Sequence, residues 1–204
     1  MSERPRVALT FDAEHPDRPG DTAGTAERIL RELDRAGVRA TFFIQSRWAM
    51  ANPELARAIA REGHLIGNHS MYHARMSLLS DEGIRTDVSS AAETIVELSG
   101  VDPLPWFRCP FGDGRDDGRV TGLLADLGYR NVHWHVELQD WEPETTAADI
   151  ARDAVEGSIG HGDGAVVLFH TWPQRTADAL PAALKAFDSD GVSFVTVDEL
   201  EVLP

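Results

Sequence analysis

"GAVVLF" (164–169) is the most strand-like run in this chain, and helix-like segments stand on both sides of it. "AADIARDAVEGS" (147–158) precedes it and "TADALPAALKAF" (176–187) follows, each with apolar residues at helical spacing, the second in spite of its proline. The alternation extends outward in both directions. Toward the N-terminus lie "RVALTF" (6–11), "ATFFI" (40–44), "HLIG" (64–67), "PWFR" (105–108) and "NVHWHV" (131–136), and toward the C-terminus "VSFVTV" (192–197). A loop rich in Pro, Gly and Asp follows the first run, and then "AERILRELDRAG" reads as a helix closed by its glycine. Asn52 and Pro53 open another helix, Ser80 and Asp81 cap a long one reaching Gly100, and "RVTGLLADLG" (119–128) is helix-like. Seven apolar runs thus alternate with six helix-like segments, without a linker or repeat. The pattern predicts an α/β fold of parallel strands with crossover helices, either a closed barrel or an open doubly wound sheet. Periodicity does not choose between them.

The 204 residues suit one domain, spanning 1–204. A net charge of −15 with no basic block excludes a phosphate-backbone partner, so no nucleic acid is expected, and it suits a neutral or cationic substrate. The single cysteine, Cys109, excludes a disulfide framework and a multi-cysteine zinc site. No apolar stretch approaches the roughly 18–20 residues of a membrane span. "MSERPRVALTF" passes from a polar start straight into an apolar run, unlike an exported leader, and a cytoplasmic protein is expected.

Polar residues of unusual kind follow one strand-like run after another: Asp12, His69, Arg108, Glu137 with Asp140, and His170. In α/β folds the carboxyl ends of strands are where active sites are built. His69 and His73 stand four apart in "GNHSMYHARM" (67–76), but in a chain with eight histidines that spacing alone does not separate ligands from chance. As a set the residues make chemical sense. A metal held by histidines activates water and polarises a carbonyl, a carboxylate such as Asp12 accepts the water proton, and a histidine such as His170 protonates a departing nitrogen. Arg108 can orient the carboxylate, and a second carboxylate can hold the histidine.

From "ALTFDAE" through "ATFFI", "EGHLIGNHSMYHARM", "WFRCPFGDG" and "HWHVELQDW" to "VVLFHTW", the chain resembles the polysaccharide deacetylases with a NodB-homology domain, carbohydrate esterase family four. The resemblance covers nearly the whole chain in the family's order, and the H-S-x-x-H element is its most specific part. It implies a distorted (β/α) barrel of seven parallel strands with outer helices. It implies that His69 and His73 bind a divalent metal, that Asp12 is the catalytic base, and that Arg108 positions Asp12. By the same carry-over the backbone N–H of Phe111 helps bind the oxyanion, and His170 is the general acid tuned by Asp140. Trp141 and Leu168 would shape the pocket for the acyl methyl.

The sequence departs from the family at Ala13, where the usual T-F-D-D motif places a third metal ligand. Some relatives use a carboxylate two residues after the base, and others act on cyclic imides or ureides without a metal. Side chains two apart in an extended segment point the same way, so Asp12 and Glu14 can face one site while residue 13 points elsewhere. Three arrangements stay open: Glu14 with His69 and His73 on one ion, zinc first; the two histidines completed by Asp12 or water; and no metal. The function expected is metal-dependent removal of an acetyl group from an N-acetylated amino sugar or short oligosaccharide. The alternatives are a metal-free amidohydrolase of cyclic imides or ureides, whose substrate would be a small amide in place of a carbohydrate, and an inactive carbohydrate-binding relative.

The other candidates have plainer readings. Cys109 has no partner to activate it and reads as a bystander thiol. "GDGRDDG" (112–118) reads as a loop, because its acidic pair would repel pyrophosphate. No G-x-S-x-G element supports a serine hydrolase. Trp141 and Trp172 adjoin site residues and are assigned to the pocket, Trp134 to the core, and His133 and His135 to structural roles.

Overall fold

The computed structural model describes residues 4–15, 24–201 and 203. The Pro/Gly/Asp-rich loop expected after the first run lies largely outside the described residues. In chain order the elements are β1 (Arg6–Ala13), α1 (Thr25–Ala36), β2 (Thr41–Ile44), α2 (Ser46–Ala51), α3 (Pro53–Arg61), β3 (Leu65–Asn68) and α4 (Asp81–Ser99). There follow β4 (Trp106–Phe107), α5 (Gly118–Asp126), β5 (Arg130–Asn131), β6 (Val136–Glu137), α6 (Ala147–His161), β7 (Ala165–His170), α7 (Gln174–Ser189) and β8 (Ser193–Val195). The strand order is β5-β4-β3-β2-β1-β7-β6, with β8 paired to β1. The fold is a distorted (β/α) barrel.

Two compact units divide the chain, the described parts of Met1–Phe11, Asp17–Thr41 and Trp134–Pro204 in one and of Asp12–Pro16 and Phe42–His133 in the other. In the first, β7 is buried along its whole length and pairs in parallel with β6, while the start of β1 pairs in parallel with β8. Phe11 and Phe169 stack with ring centroids 5.1 Å apart, and the Thr10 hydroxyl donates to the Val167 carbonyl at 2.7 Å. The hydroxyl thus enters an apolar core with its hydrogen bond made, which removes the cost of burying it. α7 buries Ala177, Leu180, Leu184 and Phe187 on one face and carries Pro181 in its interior.

In the second unit β3, β4 and β5 pair in parallel. α4 turns Ile84, Val88, Ala91 and Ile95 inward at helical spacing, and it starts where the sequence places the cap, with the Ser80 side chain accepting from the Gly83 N–H. Gly100, at φ 78, closes it in the left-handed conformation that a residue without Cβ adopts at least cost. α2 is a short helix that the apolar pattern does not announce.

"NVHWHV" does not form one strand. Its first residue belongs to β5, its last to β6, and residues 132–135 lie outside any strand. The backbone hydrogen bonds give the reason. Val132 N–H donates to the Phe107 carbonyl in the second unit, whereas His135 N–H donates to the Val166 carbonyl in the first.

Candidate active site

Asp12 closes to the carboxyl end of β1 and Glu14 lies just past it, both nearly inaccessible. His69 follows β3, and Arg108 follows β4. Glu14 Oε2 lies 3.2 Å from His69 Nε2 and in direct contact with His73 Nε2. One donor atom from each of Glu14, His69 and His73 falls within 4.8 Å of the others, and all three residues are buried. Asp12 Oδ2 stands 3.5 Å from His69 Nε2.

The tautomer of His69 follows from its other nitrogen. Nδ1 is 2.8 Å from the Arg108 carbonyl, which can only accept, so Nδ1 carries the proton. A neutral His69 then turns the lone pair of Nε2 toward two carboxylates. That arrangement calls for a cation, either a second proton or a metal ion. Burial opposes charge on His69, but Asp12, Glu14 and the Arg108 carbonyl together outweigh it, and its pKa is raised. His73 goes the other way: burial is the largest cause, and its pKa is lowered. Its Nδ1 is buried without a hydrogen-bond partner among the described residues. Two imidazoles and a carboxylate, buried and convergent, fit a divalent ion in an open catalytic site.

Arg108 is fully buried, and its NH1 donates to Asp12 Oδ1 at 2.8 Å. Nε and NH2 donate to the carbonyls of Val132 and His133 at 3.1 and 3.0 Å, and the guanidinium lies 4.1 Å above the Phe43 ring. Burial lowers the Arg108 pKa and Asp12 pushes it back, but a guanidinium titrates so high that the charge stays. Burying such a pair contributes little net stability, but it fixes the direction of the carboxylate. Phe111 sits in a short 3-10 turn at φ 58, and its half-exposed ring meets His73 edge-on at 4.4 Å.

The histidine loop is held by residues that the sequence reading passed over. Ser70 and His73 have φ 68 and 56, left-handed values that need support from outside. The His73 N–H donates to Ser70 Oγ at 2.8 Å, and the Ser70 N–H donates to Asn68 Oδ1 at 2.8 Å. Asp87 of α4 accepts from the N–H groups of Met71 and Tyr72 at 3.0 and 3.3 Å, and burial raises its pKa. A signal was present in the sequence: Asp87 is an acid at a core-facing position, three after Ile84 and four before Ala91. His15, against Glu14, carried no such signal.

The first unit holds the other group of candidates. His170 is the last residue of β7, and its Nδ1 lies 2.7 Å from Asp140 Oδ1. Asp140, fully buried, also accepts from the His170 N–H at 2.8 Å and the Thr176 hydroxyl at 2.6 Å. The carboxylate only accepts, so Nδ1 is protonated. The Trp141 ring meets the His170 ring edge-on at 5.1 Å, and Trp172 lies tilted at 6.2 Å. Leu168 is buried in β7, and Glu137 is exposed.

The remaining candidates stay apart from this chemistry. The Cys109 thiol is buried and pushed up to about 12 by that burial, with Asp113 adding to it, so it is inert near neutrality. His135 Nδ1 accepts from the Val166 N–H at 3.1 Å, while Trp134 is half-buried and outside any strand.

The polysaccharide deacetylase family profile matches residues 2–132. The peptidoglycan-N-acetylglucosamine deacetylase PgdA of Listeria monocytogenes is 30% identical over 196 residues, 96% of this chain but 38% of that protein. A family 4 acetyl xylan esterase from Clostridium thermocellum, in complex with a cobalt ion, matches with a TM-score of 0.82 at 29% identity, covering 95% of this chain and 89% of that one. A family 4 pseudoenzyme from Bacillus anthracis matches with a TM-score of 0.84 at 26% identity, covering 97% and 65%. The fold, the order of the motifs and these likenesses agree: the chain belongs to the polysaccharide deacetylase family.

Proposed function

We propose that this protein is a metal-dependent hydrolase that removes an acetyl group from the nitrogen of an N-acetylated amino sugar or short oligosaccharide. The observation that carries the reading is the buried convergence of Glu14, His69 and His73 beside Asp12, itself gripped by Arg108. Glu14 and the two histidines would hold one divalent ion, zinc first, which when bound activates a water and polarises the substrate carbonyl. Arg108 holds Asp12 Oδ1, fixing the carboxylate so that Oδ2 accepts the proton of the attacking water. The Phe111 N–H supports the developing oxyanion. His170 delivers the proton from Nε2 to the departing nitrogen, while Asp140 keeps the ring oriented. Trp141, Trp172 and Leu168 shape the pocket for the acyl methyl. The net charge of −15 favours a neutral glycan over a polyanion.

Ala13, at the position of the usual third ligand, supports a second reading, a metal-free amidohydrolase of cyclic imides or ureides. Metal analysis and acetate release from N-acetylglucosamine oligomers, with and without a chelator, separate the two. One bound ion per chain and loss of acetate release on chelation are expected, and Asp12→Asn or His170→Ala should slow turnover roughly 10²–10⁴-fold. A metal-free preparation that hydrolyses a cyclic imide regardless of chelator selects the second reading. Sugar binding without any hydrolysis selects an inactive relative.

A further inference from the structure

Glu14 has to serve from a position one residue beyond the family's usual ligand, on a side chain with one more rotatable bond. Something must hold that carboxylate, and the neighbouring residue does. His15 Nε2 lies 3.1 Å from Glu14 Oε1, while Oε2 faces His69 and His73. The two oxygens are thus divided between different partners. His15 reaches this position because it adopts φ 53, which folds its side chain back along the preceding residue.

That turn is itself held in place. The His15 N–H donates to Gln45 Oε1 at 2.9 Å, and the Gln45 N–H donates to the Ala13 carbonyl at 2.9 Å. Gln45 is almost wholly buried, and the next residue, Ser46, donates its N–H to the Ser70 carbonyl at 3.0 Å. The segment presenting Glu14 and the loop presenting the histidines are therefore tied to the same two residues at the start of α2. The His15 ring also meets the His73 ring edge-on at 4.4 Å. His15 is not in the set of mutually close donor atoms formed by Glu14, His69 and His73.

We propose that His15 is a positioning residue for the metal centre, its Nε2–H fixing Glu14 so that Oε2 is the oxygen offered to the divalent ion. The proposal rests on the reading of Glu14 as a ligand. Partners that orient a ligand from behind typically change metal affinity by roughly 10–100-fold.

The test is a competition titration of the metal-free protein with Zn²⁺ against a chromogenic chelator, with the visible absorption of the Co²⁺ form as a second readout. His15→Phe keeps a ring and removes the donor, and His15→Gln restores an N–H near the place of Nε2. Phe and Gln both lack the tolerance of positive φ that His has, so the backbone demand is matched between the two variants and their difference reports the donor. His15→Phe should weaken Zn²⁺ binding about 10–100-fold and alter the Co²⁺ spectrum, His15→Gln should recover most of both, and Glu14→Gln should weaken binding at least as much as His15→Phe. In a Glu14→Gln background, His15→Phe should add little. Unchanged affinity in Glu14→Gln would overturn the ligand reading and the proposal with it. A weakened Glu14→Gln beside an unaffected His15→Phe, or a His15→Gln as weak as His15→Phe, overturns the positioning role alone.

Discussion

Asp140 accepts three hydrogen bonds at full burial, two from His170 and one from Thr176. In the proposed mechanism only the bond at His170 Nδ1 bears on proton transfer, since the other two orient the carboxylate. Replacing Asp140 by Asn removes the negative charge facing the imidazole with almost no change in shape. An imidazolium that loses a nearby carboxylate gives up its proton more readily. The alkaline limb of the kcat/KM profile of Asp140→Asn should therefore move to lower pH, because the general acid must stay protonated to act. A profile whose alkaline limb does not move would separate Asp140 from the acid. Asp12, Arg108, Asp140 and His170 stood out in the sequence because each is a charged or titratable group at or soon after an apolar run. Asp87 left a signal, an acid on the core-facing side of α4, but not its partners, and Asn68 and His15 left none, because the N–H groups and the carboxylate they meet are brought to them by the backbone conformation.

At the scale of the element, β3 shows how a short strand sets the position of His69, a proposed metal ligand. Gly67 lies two residues before His69, and a Cβ there would stand 2.6 Å from Cδ1 of Phe43 and 3.2 Å from Cβ of Trp106. Phe43 cannot yield freely, since the Arg108 guanidinium lies on its ring. Gly67→Ala should destabilise the protein by about 1–3 kcal/mol, the usual range for overpacking a tight core, and should cost activity through the displaced Arg108. Urea unfolding followed by circular dichroism measures the first effect and acetate release the second. Wild-type stability in that variant would show that the ring has room to move. The longer helices were the most legible elements, because an apolar face repeats over several turns and Ser80 announces the start of α4, whereas the caps at Asp117 and Thr146 emerge only from the structure. α2 has only six residues, too few for a period to show.

For the molecule as a whole, the acid response of stability has an identifiable contributor. Burial lowers the His133 pKa to about 4 from 6.5, with Arg115 and Arg108 adding to the effect. As pH falls, the unfolded chain takes up this proton first, so the contribution to stability is full above about pH 6.5 and is lost progressively toward pH 4. His133→Gln should flatten the fall in urea midpoint between pH 7 and pH 4.5 while leaving the His133 carbonyl to accept from Arg108. An equally steep fall in the variant would assign the acid sensitivity elsewhere. Among the described residues no helix is long and apolar enough to cross a membrane. The sequence by itself determined the α/β class, the presence of the longer helices, the family motifs and the types of chemical group, because periodicity and residue type are local properties, while several helix ends lie two or three residues from where the apolar pattern stops. It left the barrel to resemblance, since a closed and an open parallel sheet share one alternation of elements. Tertiary structure decided that "NVHWHV" would divide into two strands, as its pairing partners lie in different parts of the chain. It also decided where the carboxylate of Glu14 would point. Spacing along an extended segment permits that direction, and among the described residues His15 and the two facing imidazoles meet the carboxylate there.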